Sequence, residues 1–378
     1  MPEVSYINQQ LKFSPIRKLT PFALAATKKG IKIYHLNIGQ PDIRSPEIFL
    51  KKIKEFDQKT VAYEKSDGNE ALKQTLVKYY QNLQINLTSA DMVVTQGGSE
   101  ALQWAFSILF NPGDECLCYE PLYTNYLTLS RLAGVQIKSM VTPRTKGVII
   151  TNPNNPDGRV FSAEELEKII KFCGEKDLFI IADETYREFI YSRIQTRSLL
   201  SYPEVSQLVV LTDSLSKRYS LCGARLGTLV SRNLKVMEMA NKIAQARLSA
   251  AAIEQYAASF LDQVPSSYFA NIREEYRQRR DGLVKELGRI PGVSFNQPDG
   301  AFYLIAKLPV KDSEAFCRFL LEDFSDKNET VMLAPAADFY LTAGKGKNEV
   351  RIAYVLNQKD LKRAVSLIGL GLKAYPEK

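Results

Sequence analysis

A chain of 378 residues, 45% hydrophobic and 24% charged, has the composition of an ordinary globular protein and room for roughly two to three domains. That excludes collagenous, disordered and disulfide-scaffold classes, and no apolar run approaches the roughly 20 residues needed to cross a bilayer. Lys and Arg total 50 against 42 Asp and Glu, a net charge of +8, yet no basic block longer than a pair occurs, so the excess reads as a solvated surface rather than a nucleic-acid groove. The opening Met1-Pro2-Glu3-Val4-Ser5 lacks a basic-then-apolar export pattern, and five cysteines make no disulfide framework, so a reducing, cytoplasmic setting is expected. His35 is the only histidine, which excludes multi-histidine metal sites and leaves acid–base chemistry to Lys, Tyr, Asp or Glu.

From about residue 91 to 230, short β-branched apolar runs alternate with helical stretches. Strands are predicted at 92–95, 115–119, 135–140, 147–151, 178–182, 207–212 and 226–231, and helices at 99–110, 162–173 and 233–246. The second helix opens with a capping box, Ser162 as N-cap and Glu165 three residues on. Strands apolar on both faces, alternating with helices, predict an α/β domain with a mostly parallel sheet. A long polar-faced helix at 267–288 leads to a smaller α+β pattern, with strands at 293–296, 301–308 and 350–355 and helices at 313–323 and 358–374. One join is too short. Only six residues, 141–146, separate two predicted strands, whereas neighbouring parallel strands need a crossover of about a dozen. The two either pair antiparallel, lie apart in the sheet, or lack a segment between them.

Four clusters carry chemistry. Gln96-Gly97-Gly98-Ser99-Glu100 follows a strand and opens a helix, and the N–H groups of Gly98, Ser99 and Glu100 suit a phosphate. Asp183, in Ile180-Ile181-Ala182-Asp183-Glu184-Thr185-Tyr186, ends a buried strand, where open α/β sheets bind ligands. Asn152-Pro153-Asn154-Asn155-Pro156-Asp157-Gly158 is a rigid loop able to hold the Asn155 amide in place. Ser214-Leu215-Ser216-Lys217 followed by Gly223-Ala224-Arg225-Leu226-Gly227 sets a lysine among hydroxyls, with an arginine eight residues later, a setting for a desolvated nucleophilic amine. Read singly, these are a capped turn, an N-cap, a loop and a surface lysine. Together they match the needs of pyridoxal phosphate: a lysine imine, a carboxylate for the pyridine nitrogen, a phosphate cup and donors to the ring oxygen.

On those residues the chain resembles the class I/II aminotransferases of the pyridoxal-phosphate fold-type I superfamily, near the bacterial aspartate aminotransferase-like branch. The resemblance runs from Ser14-Pro15-Ile16-Arg17 to Val350-Arg351-Ile352-Ala353-Tyr354. It implies an N-terminal segment (1–45) that contributes to the small domain and to active-site closure, a large cofactor domain (46–280) and a small C-terminal domain (281–378). By the resemblance, Lys217 carries the cofactor as an imine, Asp183 keeps the pyridine nitrogen protonated, and Tyr186 and Asn155 bond the ring hydroxyl. Tyr123 stacks on the ring, while Gly98, Ser99, Ser214, Ser216 and Arg225 surround the phosphate. Tyr63 reaches the phosphate of a neighbouring subunit, which implies a homodimer with shared sites. Arg351 grips the substrate α-carboxylate, and Gly39 belongs to a strip that closes over the substrate. The activity so implied is ping-pong amino transfer between an L-amino acid, such as aspartate or glutamate, and a 2-oxo acid. A carbon–sulfur lyase and a non-catalytic ligand sensor on the same scaffold are the competitors. Three departures stand out. Asp157 replaces the usual Thr of Asn-Pro-Thr-Gly, and Ser99 stands where an aspartate-specific branch carries lysine, with Arg247 a candidate replacement. A helix-bearing segment is also absent at the short join.

Overall fold

The computed structural model describes residues 2–9 and 11–376. Its strands in chain order are β1 (Lys32–His35), β2 (Met92–Thr95), β3 (Glu115–Cys118), β4 (Gln136–Lys138), β5 (Thr145–Thr151), β6 (Phe179–Asp183), β7 (Val209–Ser214), β8 (Gly227–Val230), β9 (Ser294–Phe295), β10 (Tyr303–Lys307), β11 (Glu329–Met332), β12 (Ala334–Pro335) and β13 (Glu349–Ala353). Seven of them form one sheet in the order β2-β8-β7-β6-β5-β3-β4, parallel except that β8 runs against both its neighbours.

Side chains alternate across this sheet, which is why its strands read as continuous apolar runs. Ile180, Ala182, Val209 and Leu211 enter one core with the helices Glu47–Lys54, Glu70–Asn82 and Ala163–Lys176. Ile181, Val210 and Leu229 enter the other, with Gly98–Leu109, Asn125–Leu132 and Leu234–Arg247. The Ser162–Glu165 capping box forms as the sequence predicts, each side chain accepting the other residue's N–H.

A third core gathers both ends of the chain. Strand β1 pairs in parallel with β11, so the N-terminal segment is built into the C-terminal elements. Strands β12-β13-β10-β9 form an antiparallel sheet beside them, packed with helices Ser313–Glu322 and Gln358–Ala374. The helix Ser267–Leu287 sends Ile272, Tyr276, Leu283 and Leu287 into this core, while Tyr268 and Phe269 at its start touch the large-sheet core.

The short join is resolved by separation. Strands β4 and β5 lie on opposite sides of β3, each parallel to it, with Gln136 and Thr145 both level with Glu115. The link must cover two strand spacings, about 10 Å, and step back two residues. Six extended residues reach roughly 20 Å, so no helix is required. Glu115 fixes the link as it crosses: its carboxylate accepts from Thr142 Oγ1 and from Arg144 at 2.7 Å, and its N–H bonds the Arg144 carbonyl.

Beneath the end of β7 lies a buried charge cluster. Asp213 and Arg218 are 1% and 2% exposed, and one guanidinium nitrogen reaches both carboxylate oxygens at 2.7 and 2.8 Å. Tyr80 donates to Asp213 at 2.7 Å, and Arg187 sits 3.2 Å from Glu184 and 3.7 Å from Asp213. Arg218 ends the four-residue helix Leu215–Arg218, so the pair pins the turn that carries Lys217. Gly227 lets β8 pass close above: a Cβ there would stand 2.6 Å from both the Asp213 carbonyl and the Gly97 backbone.

Two measurements test this packing. Gly227→Ala should cost about 1–3 kcal/mol in urea unfolding, whereas Gly174→Ala, in open space within Ala163–Lys176, should gain about 0.5–1 kcal/mol. Asp213→Asn leaves buried Arg218 without its counter-charge, while Arg187 keeps Glu184, and should cost about 3–5 kcal/mol near neutral pH. Burial pushes the Asp213 carboxyl up, but Arg218 and Arg187 outweigh it and hold it below its ordinary value. A depressed carboxyl stabilises the fold above its unfolded pKa of about 3.9 and loses that contribution as pH falls through the folded value. The Asp213→Asn deficit should therefore persist through neutral pH and shrink below about pH 4.

Candidate active site

The C-terminal ends of β2, β6 and β7 and the start of β8 share one edge of the large sheet. They open into a cavity of about 1440 Å³, bounded by the N-terminal segment and by the β10–β13 sheet. Its wall includes Lys217, Asp183, Gly98, Ser214, Arg225 and Arg351, and it extends along the β4 edge beside Gln136 and Lys138.

Lys217 lies in the turn pinned by Arg218, and its Nζ donates to the Gly39 carbonyl at 2.7 Å, with the Cys222 sulfur at 3.9 Å. Gly39 is thus brought onto the lysine. Asp183 is buried at the end of β6. One carboxylate oxygen takes the Tyr126 hydroxyl at 2.6 Å, the other the Thr185 hydroxyl at 2.7 Å. Burial nevertheless holds its carboxyl above the usual carboxylate value, against those hydrogen bonds. A cation placed beside it would relieve that cost.

The turn after β2 forms the other wall. Gly97 has φ +79, a conformation that favours glycine, and a Cβ there would push the Arg225 guanidinium, 2.6 Å away, out of place. Arg225 itself is left-handed at φ +52 and is held by the Cys222 carbonyl at 3.0 Å. Gly98, Ser99, Ser214, Ser216 and Arg225 all line the cavity. Ser214 caps the Lys217 turn by accepting from the Ser216 N–H at 3.2 Å. Glu100 does not join them. Its carboxylate is taken by the Gln96 N–H at 2.7 Å and by Arg247 at 2.8 Å, and its own N–H turns to the Gly97 carbonyl.

Arg351 is 1% exposed and comes from β13. It donates to Asn155 Oδ1 at 3.0 Å and to the Asn37 carbonyl, and its ring-facing sides lie over Tyr303 at 4.5 Å and Phe339 at 5.2 Å. Its Nε has no partner, and among the described residues no carboxylate pairs with it. Burial lowers its pKa. A buried guanidinium without a counter-ion, facing a cavity, is a receptor for an anion. Tyr123 lines the same cavity, edge-on to Tyr126, and the Tyr186 hydroxyl bonds that of Tyr303 at 2.9 Å.

Three expected contributors lie elsewhere. Tyr63 is 80% exposed and does not line the cavity of its own chain. Arg247 is spent on Glu100 and on the Ser66 and Val94 carbonyls, so it is no free anion receptor. Asp157 turns into its loop, accepting from Asn154 at 2.8 Å and from the Arg159 N–H at 3.1 Å, rather than into the cavity. Sequence reasoning also passed over Tyr126, Thr185, Asn37 and Tyr303, which hold Asp183, Arg351 and Tyr186. Thr185 and Asn37 sit within motifs already singled out, whereas nothing local marks Tyr126 or Tyr303.

The arrangement fits pyridoxal phosphate. Lys217 could take its aldehyde, Asp183 could face its ring nitrogen, and the Gly98–Ser99 turn with Ser214, Ser216 and Arg225 could hold its phosphate.

Comparison with known proteins agrees. Residues 31–368 match the family described as aminotransferase class I and II. The chain is 28% identical to a probable aspartate/prephenate aminotransferase of Aquifex aeolicus, over 96% of this chain and 97% of that one. It is 30% identical to an aspartate aminotransferase of Thermotoga maritima, over 87% and 90%. A crystal structure of an aspartate aminotransferase from Thermotoga maritima superposes with a TM-score of 0.88 at 29% identity, covering 98% of this chain and 100% of that one. The alanine aminotransferase of Pyrococcus furiosus gives 0.89 at 27%, covering 99% and 100%. With its α/β fold and its pyridoxal-phosphate chemistry, the chain belongs to the class I and II aminotransferases.

Proposed function

We propose that Lys217, Asp183 and Arg351 carry the amino transfer, with Asn155, Tyr186 and the turns at Gly98 and Ser214 positioning what they act on. The observation that carries the proposal is the buried, uncompensated Arg351 in the cavity that also contains Lys217 and Asp183. Pyridoxal phosphate, when bound, supplies a carbonyl for the amino group and an electron sink for Cα. Arg351 receives the α-carboxylate with its planar fork, which turns the Cα–H bond toward Lys217. The Lys217 amine would take the proton from Cα and hold it for return. Asp183 would stabilise a positive charge on the ring nitrogen, and its own burial cost would fall beside that charge. Release of a 2-oxo acid would leave the amino group with the cofactor, and a second 2-oxo acid would carry it away, which gives ping-pong kinetics. Family membership supports amino transfer over carbon–sulfur elimination or a sensor role.

The protein is further proposed to act as a cytoplasmic homodimer. Tyr63, with the exposed Val61 and Leu248, supplies surface for a second copy and a hydroxyl for its site. Five free cysteines fit a reducing compartment. Among the described residues no helix is long and apolar enough to cross a membrane.

Steady-state kinetics with an amino acid and a 2-oxo acid should give parallel double-reciprocal lines. Lys217→Ala should lower kcat by about 10²–10⁴-fold. Arg351→Ala should raise KM for both substrates at least about 10-fold, with part recovered in Arg351→Lys. Full activity in Lys217→Ala would contradict the assignment.

A further inference from the structure

Two phenols meet where the edge of the large sheet faces the β10–β13 sheet. The hydroxyls of Tyr186 and Tyr303 lie 2.9 Å apart, and among the described residues each is the other's only hydrogen-bond partner. The two residues are 5% and 3% exposed, and both line the cavity that contains Lys217. Contacts from separate parts of the chain set Tyr303 there. In the antiparallel pair of β10 and β13, Tyr303 lies opposite Ala353 and Ile305 opposite Arg351, so Tyr303 and Arg351 are diagonal neighbours on one face. The Arg351 guanidinium covers the Tyr303 ring, 4.5 Å from its centroid. Gly39 leaves room for the Tyr303 hydroxyl, since a Cβ there would stand 1.8 Å from it, and the Gly39 carbonyl also takes the Lys217 amine. The rings of Tyr186 and Tyr303 meet edge-on at 5.6 Å, whereas Tyr123, a third phenol on the wall, packs against Tyr126.

A bond between two hydroxyls can point either way, and the surroundings decide it. Arg351 acts on both phenols but lies directly over Tyr303, and a cation against that ring makes its O–H the better donor. Burial, with Tyr303, Tyr123 and Asp183 facing it, holds the Tyr186 hydroxyl well above its ordinary pKa, so Tyr186 keeps its proton. We infer that Tyr303 is a positioning residue that donates its O–H to Tyr186 and so turns the Tyr186 proton toward the ring oxygen of the cofactor. The inference rests on the reading in which Tyr186 bonds that oxygen. A hydroxyl has one proton, so Tyr186 serves the cofactor and keeps its partner only by accepting from Tyr303. A bond donated to the ring oxygen competes for it with the proton on the neighbouring Lys217–cofactor nitrogen. It therefore lowers the pH at which that proton leaves.

The test is a pH titration of the visible cofactor band in the holoenzyme without substrate, a readout that does not depend on turnover. Tyr303→Phe removes one hydroxyl and keeps the ring against Arg351 and Tyr186. Its midpoint should rise by about 0.3–1 pH unit, the roughly 2- to 10-fold effect of one hydrogen bond. Tyr186→Phe should raise the midpoint further. Adding Tyr303→Phe to Tyr186→Phe should then change nothing, because Tyr303 acts through Tyr186. Shifts that simply add in the double variant would mean that Tyr303 acts on the cofactor by another route, and would overturn the inference. So would an unmoved or lowered midpoint in Tyr303→Phe, the behaviour of a residue that only packs or that accepts the bond. In either case a midpoint raised by Tyr186→Phe leaves the reading of Tyr186 standing and sinks Tyr303 alone. A midpoint that Tyr186→Phe does not move takes Tyr186 away from the ring oxygen and overturns both.

Discussion

The register of β6 on β7 pairs Asp183 with Thr212, and the rest of the site depends on that pairing. Side chains alternate with a period of two, so a slip of one residue would turn Asp183 to the other face and set Ala182 or Glu184 in its place. With the register fixed, the chain leaves β7 at Ser214 on the same edge, and one short turn later presents Lys217. Neither strand could shift without burying a charge among aliphatic side chains. The apolar faces of the sheet therefore set the position of the chemistry, although they take no part in it.

Two kinds of buried charge occupy this edge, and they differ in how they are balanced. Asp213 and Arg218 form a closed pair completed by Tyr80, a structural anchor under the lysine turn. Asp183 and Arg351 are open: among the described residues the first has hydrogen-bond donors but no cation, the second has acceptors but no anion. A buried charge without its counter-charge is unfavourable. Those two charges stand ready for a cationic ring nitrogen and an anionic carboxylate, so ligand binding completes electrostatics that folding leaves unfinished.

Much of this was legible in the sequence, for identifiable reasons. Both-face burial made the large-sheet strands apolar throughout, and motifs at strand ends exposed Asp183, Lys217, Arg225 and the Gly97–Gly98 turn. What stayed hidden depends on contacts between distant segments. Strand β11 is short and pairs with β1 from the far end of the chain, so no local pattern announces it. Tyr126 and Tyr303 are ordinary core aromatics until the fold sets their hydroxyls on Asp183 and Tyr186. Glu100 was a candidate for its N–H at the start of a helix and Arg247 by the resemblance, yet their side chains neutralise each other. The short join looked like a defect because chain order does not reveal that β3 lies between β4 and β5.

The central claim is that Lys217 receives pyridoxal phosphate and that the bound cofactor then accepts an amino group. Visible absorbance tests it most directly, with wild type and Lys217→Ala each incubated with the cofactor, freed of excess and then given glutamate or aspartate without a 2-oxo acid. The account predicts a yellow band in the wild type that bleaches as the 2-oxo acid appears, and no comparable lysine-linked band in Lys217→Ala. The same band in both proteins, or a wild-type band that persists while pyruvate and ammonia accumulate from a cysteine conjugate, would contradict it.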